Sequence, residues 1–251
     1  MRFCYLGSGS RGNAALVEYA DTLLMIDCGF SLAETRRRLQ RVGRTPEDLT
    51  AILVTHEHGD HAAGVATLAR ATGVPVHLTP GTAGALGALA TPTAINAHAP
   101  FDIGAIRITP MPVPHDAREP CQFRFDAGGR RLGILTDVGH ITPFLRESLA
   151  DCDALVIECN YEPELLASGP YPAALKRRVG GRLGHLGNEQ AADLVAGVDR
   201  DRLQWLVGVH LSEQNNTPEH AGTRLTAALA DGADRIRLAD QSNGLDWHEL
   251  V

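Results

Sequence analysis

The chain has 251 residues, 44% of them hydrophobic, and a net charge of −7, long enough to bury a sizeable core as one large α/β domain or two small ones. No apolar run approaches the roughly 20 residues of a membrane span, and Met1-Arg2-Phe3-Cys4-Tyr5 is no signal peptide, so a cytoplasmic protein without membrane contact is expected. The acidic balance argues against broad non-specific nucleic-acid binding and leaves room for a local basic groove.

In chain order, residues 3–6 read as a short strand. The loop Gly7-Ser8-Gly9-Ser10-Arg11-Gly12-Asn13 follows; its backbone can approach a ligand closely, with an ordinary hairpin loop as the alternative. It is no dinucleotide fingerprint, because a strand rather than a helix comes next. Residues 14–19 and 23–27 are two more strands, joined through Ala20-Asp21-Thr22. Asp27 ends the second, where a carboxylate needs partners and can orient a metal-binding loop from behind. Ser31 with Glu34 predicts a capping box and a helix to about Val42, ended by Gly43. Arg36, Arg37, Arg38 and Arg41 are too spread around that helix to form one surface and read as a solvated face. The cysteines Cys4, Cys28, Cys121, Cys152 and Cys159 form no C-x-x-C pair and read as reduced, mostly buried thiols.

Residues 51–55 form the strand that feeds the densest chemistry in the chain, Thr55-His56-Glu57-His58-Gly59-Asp60-His61. On an extended segment i and i+2 share a side, so His56 and His58 can grip one ion. A helix beginning near Asp60 swings Asp60 and His61 toward a second position, while Glu57 points away. Imidazole suits zinc, iron and manganese, and a carboxylate pulls toward harder ions. A lone histidine is more often a core residue than a ligand; this spacing at a strand end marks a metal site.

Next come a helix over 62–72 closed by Gly73, a strand over 74–78 and a helix over 80–89. Strands over 103–109 and 111–113 lead into Pro114-His115-Asp116, where His115 supplies the third ligand that the His56/His58 ion needs. Residues 121–126 and 131–135 form a hairpin around Ala127-Gly128-Gly129-Arg130 and deliver Asp137, placed to bridge two cations. The strand 154–157 ends in Glu158-Cys159-Asn160-Tyr161. The stretch from Tyr171 to Arg182 is the most basic, with the only lysine, Lys176, beside Arg177, Arg178 and Arg182; it is the expected DNA groove. Gly184-His185-Leu186-Gly187-Asn188 opens a helix to about Ala196 with Asn188 as N-cap. The strand 205–209 ends at His210, Thr217-Pro218 starts the last helix, and 236–238 and 245–247 finish as edge strands.

The order His56-x-His58-x-Asp60-His61, then His115, Asp137 and His210, each after a hydrophobic strand, resembles the metallo-β-lactamase superfamily. Within it, Gly7-Ser8-Gly9-Ser10-x-Gly12-Asn13, Thr136-Asp137-x-Gly139, Glu158-x-Asn160-Tyr161, Tyr171-Pro172-x-x-Leu175-Lys176-x-Arg178, Gly184-His185-Leu186 and His210-Leu211-Ser212-x-x-Asn215-Asn216-Thr217-Pro218 are similar to the WalJ (YycJ/VicX) family over almost the whole chain. Gly187 departs from it, since the family more often has Ser there.

The resemblance implies an α/β (α+β) αββα four-layer sandwich with two mixed, mostly antiparallel sheets, one domain over 1–251. It implies a DNA 5′→3′ exonuclease with two divalent metal ions, zinc or manganese with iron as an option, and nucleic acid as partner, DNA ends or single strands. His56, His58 and His115 would hold one ion, Asp60, His61 and His210 the other, with Asp137 between them. Two such ions can acidify a shared water and clamp the scissile group, with Asp60 orienting the attacking oxygen. His185 and Glu158 hold places similar to a Glu/His pair near the leaving group in related nucleases. Ser8, Ser10, Asn13, Asn160 and Asn215, with Lys176 and Arg178, are the expected substrate contacts. The metal motif alone also suits a small-molecule hydrolase of the glyoxalase II or lactonase kind, or an RNA-processing nuclease. Asp137 stands where a B1-type lactamase wants Cys, the stretch from Asp137 to His210 is too short for a β-CASP insertion, and no long tRNA-processing arm is visible.

Overall fold

Alternation along the strands decides the layers. In β1 (Arg2–Gly7), Phe3 and Tyr5 face one way and Cys4 and Leu6 the other, all buried. In β11 (Ala154–Glu158), Ala154 and Val156 join the same core as Phe3, while Leu155 and Ile157 join another. Strands that are apolar on both faces must be covered on both faces, and two sheets with helices outside satisfy that. The computed structural model describes every residue except Asp231.

The first sheet has the order β14-β1-β2-β3-β4-β5-β6, adding β2 (Ala14–Tyr19), β3 (Thr22–Ile26), β4 (Ala51–Leu53), β5 (Val76–Leu78), β6 (Pro92–Ala94) and β14 (Leu245–Glu249). The second runs β13-β12-β11-β10-β9-β8-β7, built from β7 (Phe101–Ile103), β8 (Ile106–Pro112), β9 (Cys121–Ala127), β10 (Arg130–Leu135), β12 (Trp205–Val209) and β13 (Ile236–Leu238) with β11. Both sheets are mixed, but evenly rather than mostly antiparallel. In the first, β14-β1-β2-β3 pair antiparallel and β3-β4-β5-β6 parallel; in the second, β7-β8-β9-β10 pair antiparallel and β10-β11-β12-β13 parallel. A parallel pair requires a crossover, usually helical. α1 (Leu32–Arg41), α2 (Gly59–Ala62) with α3 (Val65–Thr72), and α4 (Pro80–Leu86) supply them in the first half. α5 (Pro143–Leu149), α6 (Pro163–Ser168) with α7 (Ala173–Val179) and α8 (Asn188–Val195), and α9 (Pro218–Leu229) do so in the second.

Phe123, Phe125, Leu53, Ile108 and Val207 pack between the sheets. Leu39 of α1 and Leu68 of α3 cover the outer face of the first sheet, and Leu145, Leu194 and Leu225 of α5, α8 and α9 that of the second. All five cysteines are free and buried, and burial pushes the thiols up, Cys28 to about 11 and Cys152 to about 12.

Several expected elements change. The helix over 62–72 divides at Gly64, where a Cβ would fall 2.0 Å from the Phe30 carbonyl oxygen, so the chain crosses there on glycine. The strands expected over 103–109 and 111–113 merge into the continuous β8; β6, β7, α5, α6 and α7 were not expected from the sequence, and α4 stops at Leu86. The N-cap of α8 is Gly187, whose N–H donates to the Gln190 side chain, and not Asn188. The Asn188 amide is instead buried against Glu162 and Asn216. Ser31 does cap α1, but Glu34 turns to Arg37 and Arg38 rather than back to the cap. Among the described residues no helix is long and apolar enough to cross a membrane.

Candidate metal centre

The site lies at the carboxyl ends of strands from both sheets, where loops converge in α/β architecture. Three strands end with a non-glycine residue in left-handed backbone: Asp27 (φ 60°), Asp137 (φ 52°) and His210 (φ 56°). Such conformations cost about 1–3 kcal/mol each and persist where the surroundings impose them, most often at functional sites. The first sheet contributes the histidine motif after β4. Asp27 organises it: its carboxylate accepts from the Thr55 N–H (2.8 Å) and hydroxyl (2.8 Å) and from His61 Nδ1 (2.7 Å). With its proton committed to Asp27, Thr55 Oγ1 accepts from His56 Nδ1 at 2.9 Å. Both rings therefore present Nε2 to the interior. Gly29 lets the Asp60 turn approach, since a Cβ there would stand 1.8 Å from the Asp60 carbonyl oxygen.

The second sheet supplies the rest. His115 follows β8 and donates Nδ1–H to the Gly184 carbonyl (2.9 Å), so its Nε2 meets His58 Nδ1 at 3.3 Å. His56, His58 and His115 thus form one group whose ligand atoms all lie within 4.8 Å of one another, and Asp60, His61 and His210 form a second. Asp137, after β10, groups with His56 and His61 and also with Glu158, His185 and His210, and so stands between the two.

The donor set fits divalent cations. His56 Nε2 and His210 Nε2 are buried without a hydrogen-bond partner, an arrangement that costs free energy unless something else satisfies the atoms. Asp137 Oδ2 sits 2.7 Å from His61 Nε2 yet makes no hydrogen bond, as two ligands of one cation would. Imidazoles with carboxylates suit zinc, manganese or iron.

Behind the ligands, Glu158 is fully buried. One oxygen is 2.8 Å from both His185 Nδ1 and His210 Nδ1, and the other accepts from the Val138 and Leu186 N–H groups at 3.0 Å. Burial alone would raise its carboxyl; the charge and hydrogen bond of His185, with that of His210, hold it at about 2. Burial likewise opposes charge on His210, but Asp137, Asp60 and Glu158 raise it to about 9, and Glu158 and Asp137 (3.0 Å from Nδ1) raise His185 well above the ordinary range. His56, dominated by burial and then by the His61 charge, is pushed well below it.

A cavity of about 350 Å³ opens on this cluster. Ser10, Asp60, Asn160 and Ser212 line it together with Tyr171, Leu175 and Arg178, which come from the loop before α7 and from α7 itself.

Residues 22–210 match the sequence profile of the beta-lactamase superfamily domain. The chain belongs to the metallo-β-lactamase superfamily. Within the superfamily it is a member of the WalJ/YycJ family: it is 33% identical to exodeoxyribonuclease WalJ of Streptococcus pneumoniae serotype 2 over 98% of this chain and 92% of that protein. Its identity to exodeoxyribonuclease YycJ of Bacillus anthracis is 32% over 92% of this chain and 90% of that protein. The metallo-β-lactamase fold protein YhfI of Bacillus subtilis shares the fold, with a TM-score of 0.73 at 16% identity over 99% of both chains.

The metallo-β-lactamase ligand positions His56, His58, Asp60, His61, His115, Asp137 and His210 all come together, and His185 lies beside them. Of the expected substrate contacts, Ser10, Asn160 and Arg178 line the cavity, and Ser8, Asn13, Lys176 and Asn215 do not. Ser8 accepts from the His210 N–H and Asn13 fastens its own loop to Gly9, while the Asn13 N–H donates to the Asp60 carbonyl. Both act as supports of the metal loops. Lys176 donates to the Ala167 carbonyl, away from the site, and Asn215 is buried against Ser212. Asp116, Tyr171, Leu175 and Ser212 also line the cavity, and the sequence did not mark them for it. Asp116 follows His115 directly and Tyr171 and Leu175 stand in the quoted Tyr-Pro motif, but without α7 nothing in the sequence faced them toward the metals.

Proposed function

We propose that the chain is a two-metal-dependent phosphodiesterase acting on DNA, a 5′→3′ exonuclease working as one metallo-β-lactamase domain in the cytoplasm. The observation that carries this is the pair of ligand groups joined by Asp137 at the floor of a cavity of about 350 Å³ whose wall bears a guanidinium, Arg178. The WalJ and YycJ relatives, named exodeoxyribonucleases, support the polymer class. His56, His58 and His115 would hold one ion and Asp60, His61 and His210 the second, with Asp137 available to either; zinc or manganese would suit the set, with iron as a further option. When bound, such ions supply Lewis-acid charge for phosphate oxygens and make water acidic enough to attack at neutral pH.

The remaining work falls to the chain itself. Asp60, whose Oδ2 lies 3.5 Å from both His61 Nε2 and His210 Nε2, is half-open to the cavity and orients the attacking water while accepting its proton. His185, with two carboxylates at Nδ1, is held as imidazolium and donates to the leaving oxygen. Glu158 keeps that ring and His210 in place. Asn160, fixed by its bond to the His210 carbonyl (3.0 Å), and Ser10 face the phosphate.

Metal-loaded protein incubated with 5′-labelled and 3′-labelled single- and double-stranded DNA tests this. Mononucleotides are expected from the 5′ end, and Asp60→Ala is expected to lower kcat/KM by about 10²–10⁴-fold, the range for general acid–base groups. No cleavage with manganese, zinc or iron, together with hydrolysis of a thioester or lactone, replaces the nuclease by a small-molecule hydrolase.

A further inference from the structure

Arg178 is the only lysine or arginine among the described residues lining the cavity, and it is already engaged. Its Nε donates to Asp116 Oδ2 at 2.6 Å. The other oxygen of the same carboxylate, Oδ1, lies 3.5 Å from His115 Nε2 and 3.9 Å from His58 Nε2. The backbone of Asp116 is pinned by its N–H to the Leu183 carbonyl (3.0 Å), so only the side chain is at liberty to turn. The Asp116 side chain keeps 29% of its exposure and that of Arg178 60%, so the contact is open to a ligand entering the cavity.

A carboxylate on a guanidinium is the nearest protein counterpart of a phosphate on a guanidinium, because both present oxygens to the same N–H fork. We propose that Asp116 occupies, in the free protein, the seat on Arg178 that a phosphate of the nucleic-acid strand takes, and that substrate binding exchanges the one anion for the other. The proposal rests on the nuclease reading above and deepens it: it makes the Asp116–Arg178 pair a filter for polyanions. A strand brings a phosphate that compensates Arg178 when Asp116 leaves. A neutral lactone or thioester brings none, and displacing Asp116 would leave a guanidinium uncompensated. Discrimination of this kind comes from what the wrong ligand fails to satisfy. The released carboxylate has a partner at hand in His58 Nε2. His58 already turns Nδ1 toward His115 and the metal-facing side, and a carboxylate behind a ligating imidazole fixes its tautomer and orientation. Asp116 is thus a positioning residue acting through Arg178 and His58.

The pair predicts effects of opposite sign. Binding is measured by anisotropy of a 3′-fluorescein single-stranded oligonucleotide with phosphorothioate linkages, over a salt titration with metal-loaded protein, and turnover on the ordinary oligonucleotide. Asp116→Asn is expected to tighten Kd about threefold to tenfold, the scale of one nearby charge, while kcat falls. Arg178→Gln is expected to weaken binding and to lower the slope of log Kd against log salt by about 0.7, one phosphate contact on a single strand. In the double variant Asp116→Asn no longer tightens, the coupling a double-mutant cycle isolates. A residue that merely supported the fold would not tighten binding, and matched melting temperatures check that both variants fold. Unchanged or weaker binding by Asp116→Asn, or tightening that survives without Arg178, overturns the exchange and leaves the nuclease standing. Wild-type protein that shows no salt-dependent binding but hydrolyses a neutral thioester removes both.

Discussion

At Glu158 four donors converge on one carboxylate that water does not reach: the Nδ1 atoms of His185 and His210 and the N–H groups of Val138 and Leu186. Replacing it by Gln preserves shape and loses more than charge, because either orientation of the amide sets its NH2 against donors. Glu158→Gln is therefore expected to cost about 1–3 kcal/mol of stability in metal-free protein, the penalty for buried groups left unpaired. Metal affinity or turnover should fall about 10–100-fold, as when support behind a ligand is removed. Urea unfolding and a metal titration check the two parts. A variant as stable and as tight for metal as the parent would show that Glu158 is a bystander. Which residues carry chemistry was legible at this scale wherever spacing did the work: His56, His58, Asp60 and His61 fall within one turn of chain. Ser8, Asn13 and Asn215 misled because a polar residue in a loop says nothing of which way it points: Ser8 and Asn13 are turned inward to hold backbone, and the buried Asn215 amide donates to the Ser212 hydroxyl.

Among the elements, α1 is fastened by a buried cation. Arg38 donates to the carbonyls of Leu6, Gln241 and Ser242 and stacks over Phe30, while Glu34 holds its Nε at 2.6 Å. Arg37 foremost, then Arg38, holds the Glu34 carboxyl at about 2 against an ordinary 4.5. A depressed carboxyl stabilises in full above the unfolded value and loses that contribution as pH falls through the folded one. Glu34→Gln should therefore be less stable than the parent at pH 6 by about 0.3–0.5 kcal/mol, as for an exposed helical pair. The gap should narrow from pH 4.5 down toward 2, and urea midpoints of the two proteins across that range test it. A gap that stays constant assigns the effect to something other than the charge. The same helix corrects the sequence reading, in which its arginines formed a solvated face; Arg38 is buried because the fold brings the loop after β13 across it. The α7 wall, like α6 before it, escaped notice for a related reason: short helices opened by proline and broken by glycine have too few turns to show a period.

At the scale of the molecule, the site joins the two sheets. His56, His58, Asp60 and His61 leave the first, and His115, Asp137 and His210 leave the second. Metal bound between them would bind the folded arrangement and not the unfolded chain, and so would stabilise by mass action, about 4 kcal/mol at a thousandfold excess over Kd. Chelation is expected to lower Tm by several degrees and restoring metal to recover it, by scanning calorimetry. The loss should be much smaller in His56→Ala, which has already lost a ligand. Equal Tm with and without chelator would mean that no tightly held ion joins the sheets.

The sequence by itself determined the order of the candidate ligands, the strands that carry them and the family, because each rests on neighbours in the chain: an apolar run, a period of two, a turn at its end. The layers were implied by the family resemblance, and the strands buried on both faces agree with it. Only the tertiary structure decided that the sheets divide evenly between parallel and antiparallel pairs, that Glu158 stands behind His185 and His210, which groups Asp27 meets, and that Asp116 meets Arg178. Those contacts join residues 62 positions apart along the chain for Asp116 and Arg178, and 28 for Asp27 and Thr55, distances over which local pattern carries no information. Packing brings such groups together, and it acts on the whole chain at once.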